Sequence, residues 1–367
     1  MRQAIASVLE TTAEISELCD ILQHQPEVAV DTEGDSLHCY HEKLCLIQVS
    51  VPDRDALIDS LQPIDFKRLN EVLRSRTVVF HGCDYDLRML RRSVGFVPGN
   101  VFDTYIAARL LGLPEVGLAS LVKSFFGVEI AKSSQKANWA KRPLTPAMLA
   151  YAVNDTRYLL ALAHRLKVEL HEKGRWSWYE ESCERAVLAA AEDREKDPDQ
   201  AWKIAGSAAL VPQIQAVLRA LWHWREAEAE QMDRPPFQIM RNEDLIGIAR
   251  KAINGPQTLP SWLPGGRRRR LLEVLRNASQ IPESEWPQKD RSLRHRPTSQ
   301  QEKRFEALKA RRDALAEQLA LDPGVLASRS VLEKVSREPE MAATHLMRWQ
   351  RELLMEENEK SVVRSEK

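Results

Sequence analysis

Thr77-Val-Val-Phe80 is a run of four residues, apolar after its threonine, that passes almost directly into a helical pattern over 84–94. It is too short for a helix and has no alternating polar face, so it reads as a strand buried on both sides. Such strands belong to sheets covered by helices. Further strand patterns stand at Val28–Val30, Leu44–Ser50, Ala56–Asp59 and Val101–Asp103. Helical patterns accompany them at 14–25, 65–75, 84–94, 104–111, 118–125 and 145–171. Strands first, then strands alternating with helices, predict an α/β domain with a mixed sheet over residues 1–200.

Beyond about residue 195 the strand patterns end. Asp193–Gln200, with Pro198 among mixed charges, is a predicted joint. Helical patterns follow at 201–207, 211–232, 242–250 and 266–278, punctuated by Pro235-Pro236 and Gly255-Pro256. A polar stretch from Pro282 to Pro297 marks a predicted linker, 284–298, and helical patterns resume at 300–319, 323–336 and 341–357. The residues from Glu356 onward are polar and expected to fray. Two small all-α bundles of one kind are therefore expected, over 208–283 and 299–360.

Composition narrows the setting. The five cysteines (19, 39, 45, 83 and 183) are odd in number and lack CxxC spacing. Reduced thiols in a cytoplasm follow, rather than a disulfide framework or a zinc site. No apolar run approaches the ~20 residues of a membrane span, and the opening residues do not read as a signal peptide. Net charge is +0 but unevenly spread. Residues 1–200 hold 24 Lys and Arg against 30 Asp and Glu, and residues 201–367 hold 29 against 23. An acidic half that could hold cations joins a basic half that could hold a polyanion; scatter among solvated faces gives the same imbalance.

The chemistry-bearing residues are acids near strand ends. In Val28-Ala-Val-Asp31-Thr-Glu33, strand alternation turns Asp31 and Glu33 to one face, roughly 6–7 Å apart along the strand. Two such carboxylates repel unless a cation lies between them, and oxygen-only ligation suits Mg²⁺ or Mn²⁺. A surface turn is the competing reading. After the buried strand come Asp84 and Asp86: Asp84 is expected as a helix N-cap, and Asp86 is suited to face the sheet edge where the Asp31 strand ends. Asp103 is also expected as an N-cap. Tyr151 and Asp155, four apart in a helix, share a face, as surface and packing pairs also do. Four carboxylates and a phenol suit a two-metal phosphodiester hydrolysis, with the Tyr hydroxyl on the attacking water.

At these residues the chain resembles the DEDD exonuclease superfamily, in its Tyr-containing branch. The resemblance implies metal ligation by Asp31, Glu33, Asp86 and Asp155, and water orientation by Tyr151. Leu44-Cys-Leu-Ile-Gln48 looks like the superfamily's second strand. Asn138-Trp139-Ala-Lys141-Arg142-Pro-Leu-Thr145 with Tyr151 and Asp155, and His81 five residues before Asp86, are similar to the ribonuclease D family. Asn138 stands where Asp is common, and Gly34 where a larger residue is common. Val217–Arg225, Met232–Phe237 and Leu245–Ala249 are similar to the helicase-and-RNase-D C-terminal (HRDC) domain, an auxiliary nucleic-acid binder. Of Trp222 and Trp224, one is expected in the core and one exposed. Residues 299–358 look like a diverged second copy.

The resemblance thus implies a ribonuclease H-like α/β exonuclease domain followed by two HRDC-like bundles. It implies a 3′→5′ exoribonuclease with two divalent ions that releases nucleoside 5′-monophosphates and trims tRNA precursors or other small stable RNAs. No obligate protein partner is evident. A DNA exonuclease acting in repair is the alternative. Candidate RNA contacts are His81, Lys136, Trp139, Lys141 and Arg142, then Arg267, Arg268, Arg269 and Arg270. Lys123, Lys132, Lys136, Lys141 and Arg142 form a local basic cluster. Trp139 fits a core equally well, the arginine run fits a solvated face, and His38, Tyr40 and His41 read as a surface loop. Lys289–Arg296 offers a second basic stretch in the linker.

Overall fold

The computed structural model describes residues 7–131, 133–192, 197–252, 259, 262–288 and 297–355. Lys132, residues 193–196 of the predicted joint, Gly255-Pro256, the linker's basic stretch and the tail from Glu356 lie outside the described residues. Contacts divide the chain into two units. One holds residues 1–34, 44–192 and 297–367; the other holds 35–43 and 193–296.

The first unit is built on a six-stranded mixed sheet. Its strands are β1 (Ser7–Leu9), β2 (Glu27–Gly34), β3 (Leu44–Val51), β4 (Arg54–Ile58), β5 (Thr77–Phe80) and β6 (Asn100–Asp103), in the order β1-β4-β3-β2-β5-β6. β3 pairs antiparallel with both β2 and β4, whereas β1 lies parallel to β4, and β5 and β6 continue parallel to β2. Thr77–Phe80 is interior, as its apolar run predicts. β1 was not legible: an edge strand of three residues, paired only with β4, is too short to show a period.

Helices cover both faces: α1 (Thr12–Leu22), α2 (Lys67–Arg74), α3 (Asp84–Val94), α4 (Thr104–Leu111), α5 (Leu118–Phe126), α6 (Pro146–Arg157), α7 (Leu159–Glu172) and α8 (Trp176–Ala191). On one face Leu18, Val28, Val30, Val78, Phe80 and Leu87 pack together. On the other are Ala29, Val79, Phe102, Leu111 and Leu162. Alternation along β2 therefore fixes the side on which Asp31 and Glu33 emerge, the side of Ala29.

Two helical expectations change. The pattern over 145–171 is not one helix but α6 and α7, parted at Tyr158 (φ −97°, ψ −10°). The break lets each follow a different partner. α6 lies on β3, where Thr156 and Ser50 hydroxyls are 2.7 Å apart, and α7 packs into the α4 face. α8 was missed because its buried residues are Tyr179, Cys183 and Ala190, small or amphipathic types that leave no aliphatic stripe.

The second unit has its own core of Trp202, Leu218, Leu221, Trp224, Leu245, Ile248, Leu271 and Leu275. Its main helices are Pro212–Gln231, Asn242–Ala252 and Gly265–Ala278. The helix expected over 201–207 is absent; a short helix Pro198–Ala201 and a 3₁₀ turn Ser207–Ala209 stand around it, with Gly206 at φ +89° between. Trp224 is buried and Trp222 only partly so. Loop 35–43 belongs to this unit: the Tyr40 N–H donates to Asp233 (3.1 Å), Gln238 donates to the Leu37 carbonyl (3.0 Å), and the Tyr40 ring packs against the helical core.

Candidate active site

Asp31 and Glu33 end β2, and Asp155 reaches them from α6. Carboxylate oxygens of these three residues lie within 4.8 Å of one another. Asp86, in the first turn of α3, is the fourth acid. The alternation that unites Asp31 and Glu33 turns Thr32 the opposite way, where its hydroxyl donates to Asp86 (2.6 Å). The Asp-x-Glu spacing hides this bond, since the middle residue carries no signal of its own. Asp84, expected as an N-cap, is instead the first helical residue and pairs with Arg88; Cys83 holds the cap position without a side-chain bond. Asp103 caps α4 and also accepts the N–H groups of Gly82 and Cys83.

The acids are hemmed in by protein and by one another. Burial first, then repulsion from Asp86, Asp155 and Glu33, lifts Asp31 well above the usual carboxylate range. Glu33 is pushed up to about 9 by burial and by Asp155 and Asp86. Burial lifts Asp86 to about 7 against the Thr32 bond, and lifts Asp155 to about 7 against its bond with Tyr151. Burial and the same acids raise the Tyr151 phenol, so it stays protonated at neutral pH. Clustered acids that resist ionisation when no cation is present have the chemistry that suits a hard divalent cation.

Asp155 is placed by a network at the end of α6. Arg157 donates to Asp55 (2.8 Å), which also accepts from Ser50 (2.7 Å), and Ser50 meets Thr156. Before α6, Arg142 donates to the fully buried Asp59 at 2.5 and 2.6 Å and to the carbonyls of Trp139 and Cys45. Burial alone would raise Asp59; the Arg142 bonds bring it below its usual value. Arg142 thus ties the segment before α6 to β3 and to Asp59. Trp139 is 1% exposed, its ring 6.0 Å from that of Tyr151, so it is core and has no free face for a base. Lys136 and Lys141 are exposed. His81 is half-buried, its Nδ1 2.9 Å from Thr104 Oγ1, and burial holds its pKa down. In the second unit Arg267 and Arg270 pair with the buried Glu228 and Arg268 donates to the Leu259 carbonyl, whereas Arg269 is exposed.

The 3′-5′ exonuclease family matches residues 7–171, and the HRDC domain family matches 214–262. A ribonuclease D of Acidiphilium cryptum is 32% identical over 296 residues, covering 78% of this chain and 75% of that protein. The chain belongs to the ribonuclease D family. A ribonuclease D of Granulibacter bethesdensis is 29% identical across 95% of this chain and 90% of its own length. The crystal structure of Escherichia coli RNase D, described as an exoribonuclease involved in structured RNA processing, superposes with a TM-score of 0.72. It is 27% identical and covers 98% of this chain and 99% of its own. The chain is accordingly a 3′→5′ exoribonuclease with an HRDC domain. Among its described residues no helix is long and apolar enough to cross a membrane.

Proposed function

We propose that the protein trims the 3′ ends of tRNA precursors or other small stable RNAs in the cytoplasm, with two divalent ions, Mg²⁺ or Mn²⁺. The observation that carries the metal reading is the convergence of Asp31, Glu33 and Asp155 oxygens within 4.8 Å, with Asp86 beside them. Bound ions would supply Lewis acidity, activating a water and neutralising charge on the leaving 3′ oxygen. The chain's own residues do the rest. Asp31, Glu33, Asp86 and Asp155 hold the ions, and Thr32 fixes the direction of the Asp86 carboxylate. Tyr151, kept protonated, hydrogen-bonds the attacking water and sets its approach to phosphorus. The phosphodiester breaks at the 3′ oxygen and releases a nucleoside 5′-monophosphate. His81 and the exposed Lys136, Lys141 and Arg269 are candidate contacts for RNA. Five buried free cysteines support a reducing compartment.

The test is an end-labelled precursor tRNA with a 3′ extension, and a DNA strand of matched sequence, each with Mg²⁺ or Mn²⁺. Stepwise shortening of the RNA to 5′-monophosphates is expected, with Asp31→Asn and Asp155→Asn reducing the rate by at least about 10³-fold. Undiminished shortening by either variant, or in excess EDTA, contradicts the metal reading. Faster attack on the DNA strand contradicts the RNA assignment.

A further inference from the structure

Gln48 lies in the middle of β3, fully buried, and neither its Nε2 nor its Oε1 has a hydrogen-bond partner. Among the described residues it is the one buried side chain with both its donor and its acceptor unpaired. Buried amides are ordinarily satisfied, so such a group calls for a physical account.

Its position suggests one. The β2–β3 register sets Gln48 directly opposite Asp31. Residues opposite one another in an antiparallel pair project from the same face with their Cβ atoms about 4.5–5.5 Å apart. The next residues on that face of β3 are Leu46 and Ser50. Leu46 packs with Ala152 and Val153, and Ser50 meets Thr156. Gln48 is bracketed by these two contacts and lies beneath the α6 turn that carries Asp155. A two-sided polar group is thus enclosed between the strand bearing Asp31 and the helix bearing Asp155. An apolar residue of the same length would fill that space without an unpaired amide.

We propose that Gln48 is a positioning residue for the metal site. In the metal-loaded protein its amide N–H donates to the Asp31 carboxylate, and its carbonyl oxygen accepts from a water of the same site. A carboxylate that binds a metal through one oxygen leaves the other to accept from a neighbour, and such supporting partners orient the ligand and tune affinity. The amide is unpaired until the acids are drawn round an ion. This inference rests on the divalent-metal reading of the cluster.

The test compares the full-length protein with Gln48→Met, which keeps the length without the amide, and Gln48→Asn, which keeps the amide on a shorter stem. Melting temperature is measured in EDTA, and Mn²⁺ affinity by titration calorimetry. Gln48→Met is expected to melt in EDTA at or above the temperature of the unaltered protein, yet to bind Mn²⁺ at least about 10-fold more weakly. Gln48→Asn is expected to fall between the two in affinity. A core-filling role alone would leave metal affinity unmoved in every variant, and that result overturns the inference. A large fall in metal-free melting temperature for Gln48→Met also overturns it, because the amide would then have a partner without the metal. Absence of Mn²⁺ binding by the unaltered protein would overturn the metal reading itself, an outcome separate from binding that ignores Gln48.

Discussion

The two helical blocks read as modules of one kind in sequence, yet they fold differently. The first keeps its own core around Trp202, Leu221 and Leu271. The second has a small core of Leu332, Val335 and Leu346, but sends Ala316, Leu321, Leu326 and Trp349 into the same cluster as Phe102, Leu111 and Leu162 of the exonuclease domain. Polar contacts reinforce this join. Arg175, 8% exposed, donates to the carbonyls of Leu110 and Leu319, both at 2.7 Å. The Glu181 carboxylate accepts the N–H groups of Arg348 and Trp349. Trp178 stacks on Trp349 at 4.8 Å. An amphipathic helix announces that one face is buried; it does not say against what. The first block is a module with its own core, and the second is part of the exonuclease fold.

The largest test of this difference is truncation. A chain ending at Arg296 uncovers Leu111 and Trp178 and leaves Arg175 without one of its carbonyls. It should fail to give a soluble, cooperatively melting catalytic domain. A fragment that stays folded and hydrolyses dinucleotides at the full rate would break the comparison. A milder probe is Gly112, at φ +75°, where an added Cβ would fall 1.9 Å from the Ala320 carbonyl oxygen. Gly112→Ala should cost about 2–4 kcal/mol, from the left-handed backbone and the collision together. Gly95, at φ +71°, has nothing within 4 Å of an added Cβ, so Gly95→Ala should cost only about 1–2 kcal/mol. Equal losses in denaturant melts would mean that the second block does not press on α4 as described.

Much of the enzyme was legible because its signals are local. β5 declares itself by four residues, and Asp31 and Glu33 share a face by alternation alone. What escaped the sequence is what depends on distant partners. Thr32 looks inert until Asp86 is placed opposite it, and Gln48 looks like an ordinary strand residue until its register with Asp31 is known. Nothing in the sequence around Arg142 or the Arg267–Arg270 run reveals an internal partner for these cations. Asp59 and Glu228, far off in sequence, claim Arg142 and two of the four arginines. Trp139 is enclosed by the fold in the same way.

The smallest effect separates the two units by pH and metal. Free carboxylates lose their protons near pH 4 when unfolded, whereas Asp86 and Asp155 hold theirs up to about 7 and Glu33 up to about 9. The folded form therefore binds more protons than the unfolded form between those values, and stability falls as pH rises. In EDTA the transition of the unit that holds the sheet and the second helical block should move down on the order of 5 °C between pH 6 and 9, relative to Asp155→Asn at each pH. Divalent metal should reverse the fall, because a bound cation favours the ionised acids. The same titration should leave the first helical block's transition in place, since none of these acids lies within it. Calorimetric scans at three pH values, with and without Mn²⁺, resolve this. If both transitions moved together, the helical blocks would not differ in the way their cores indicate.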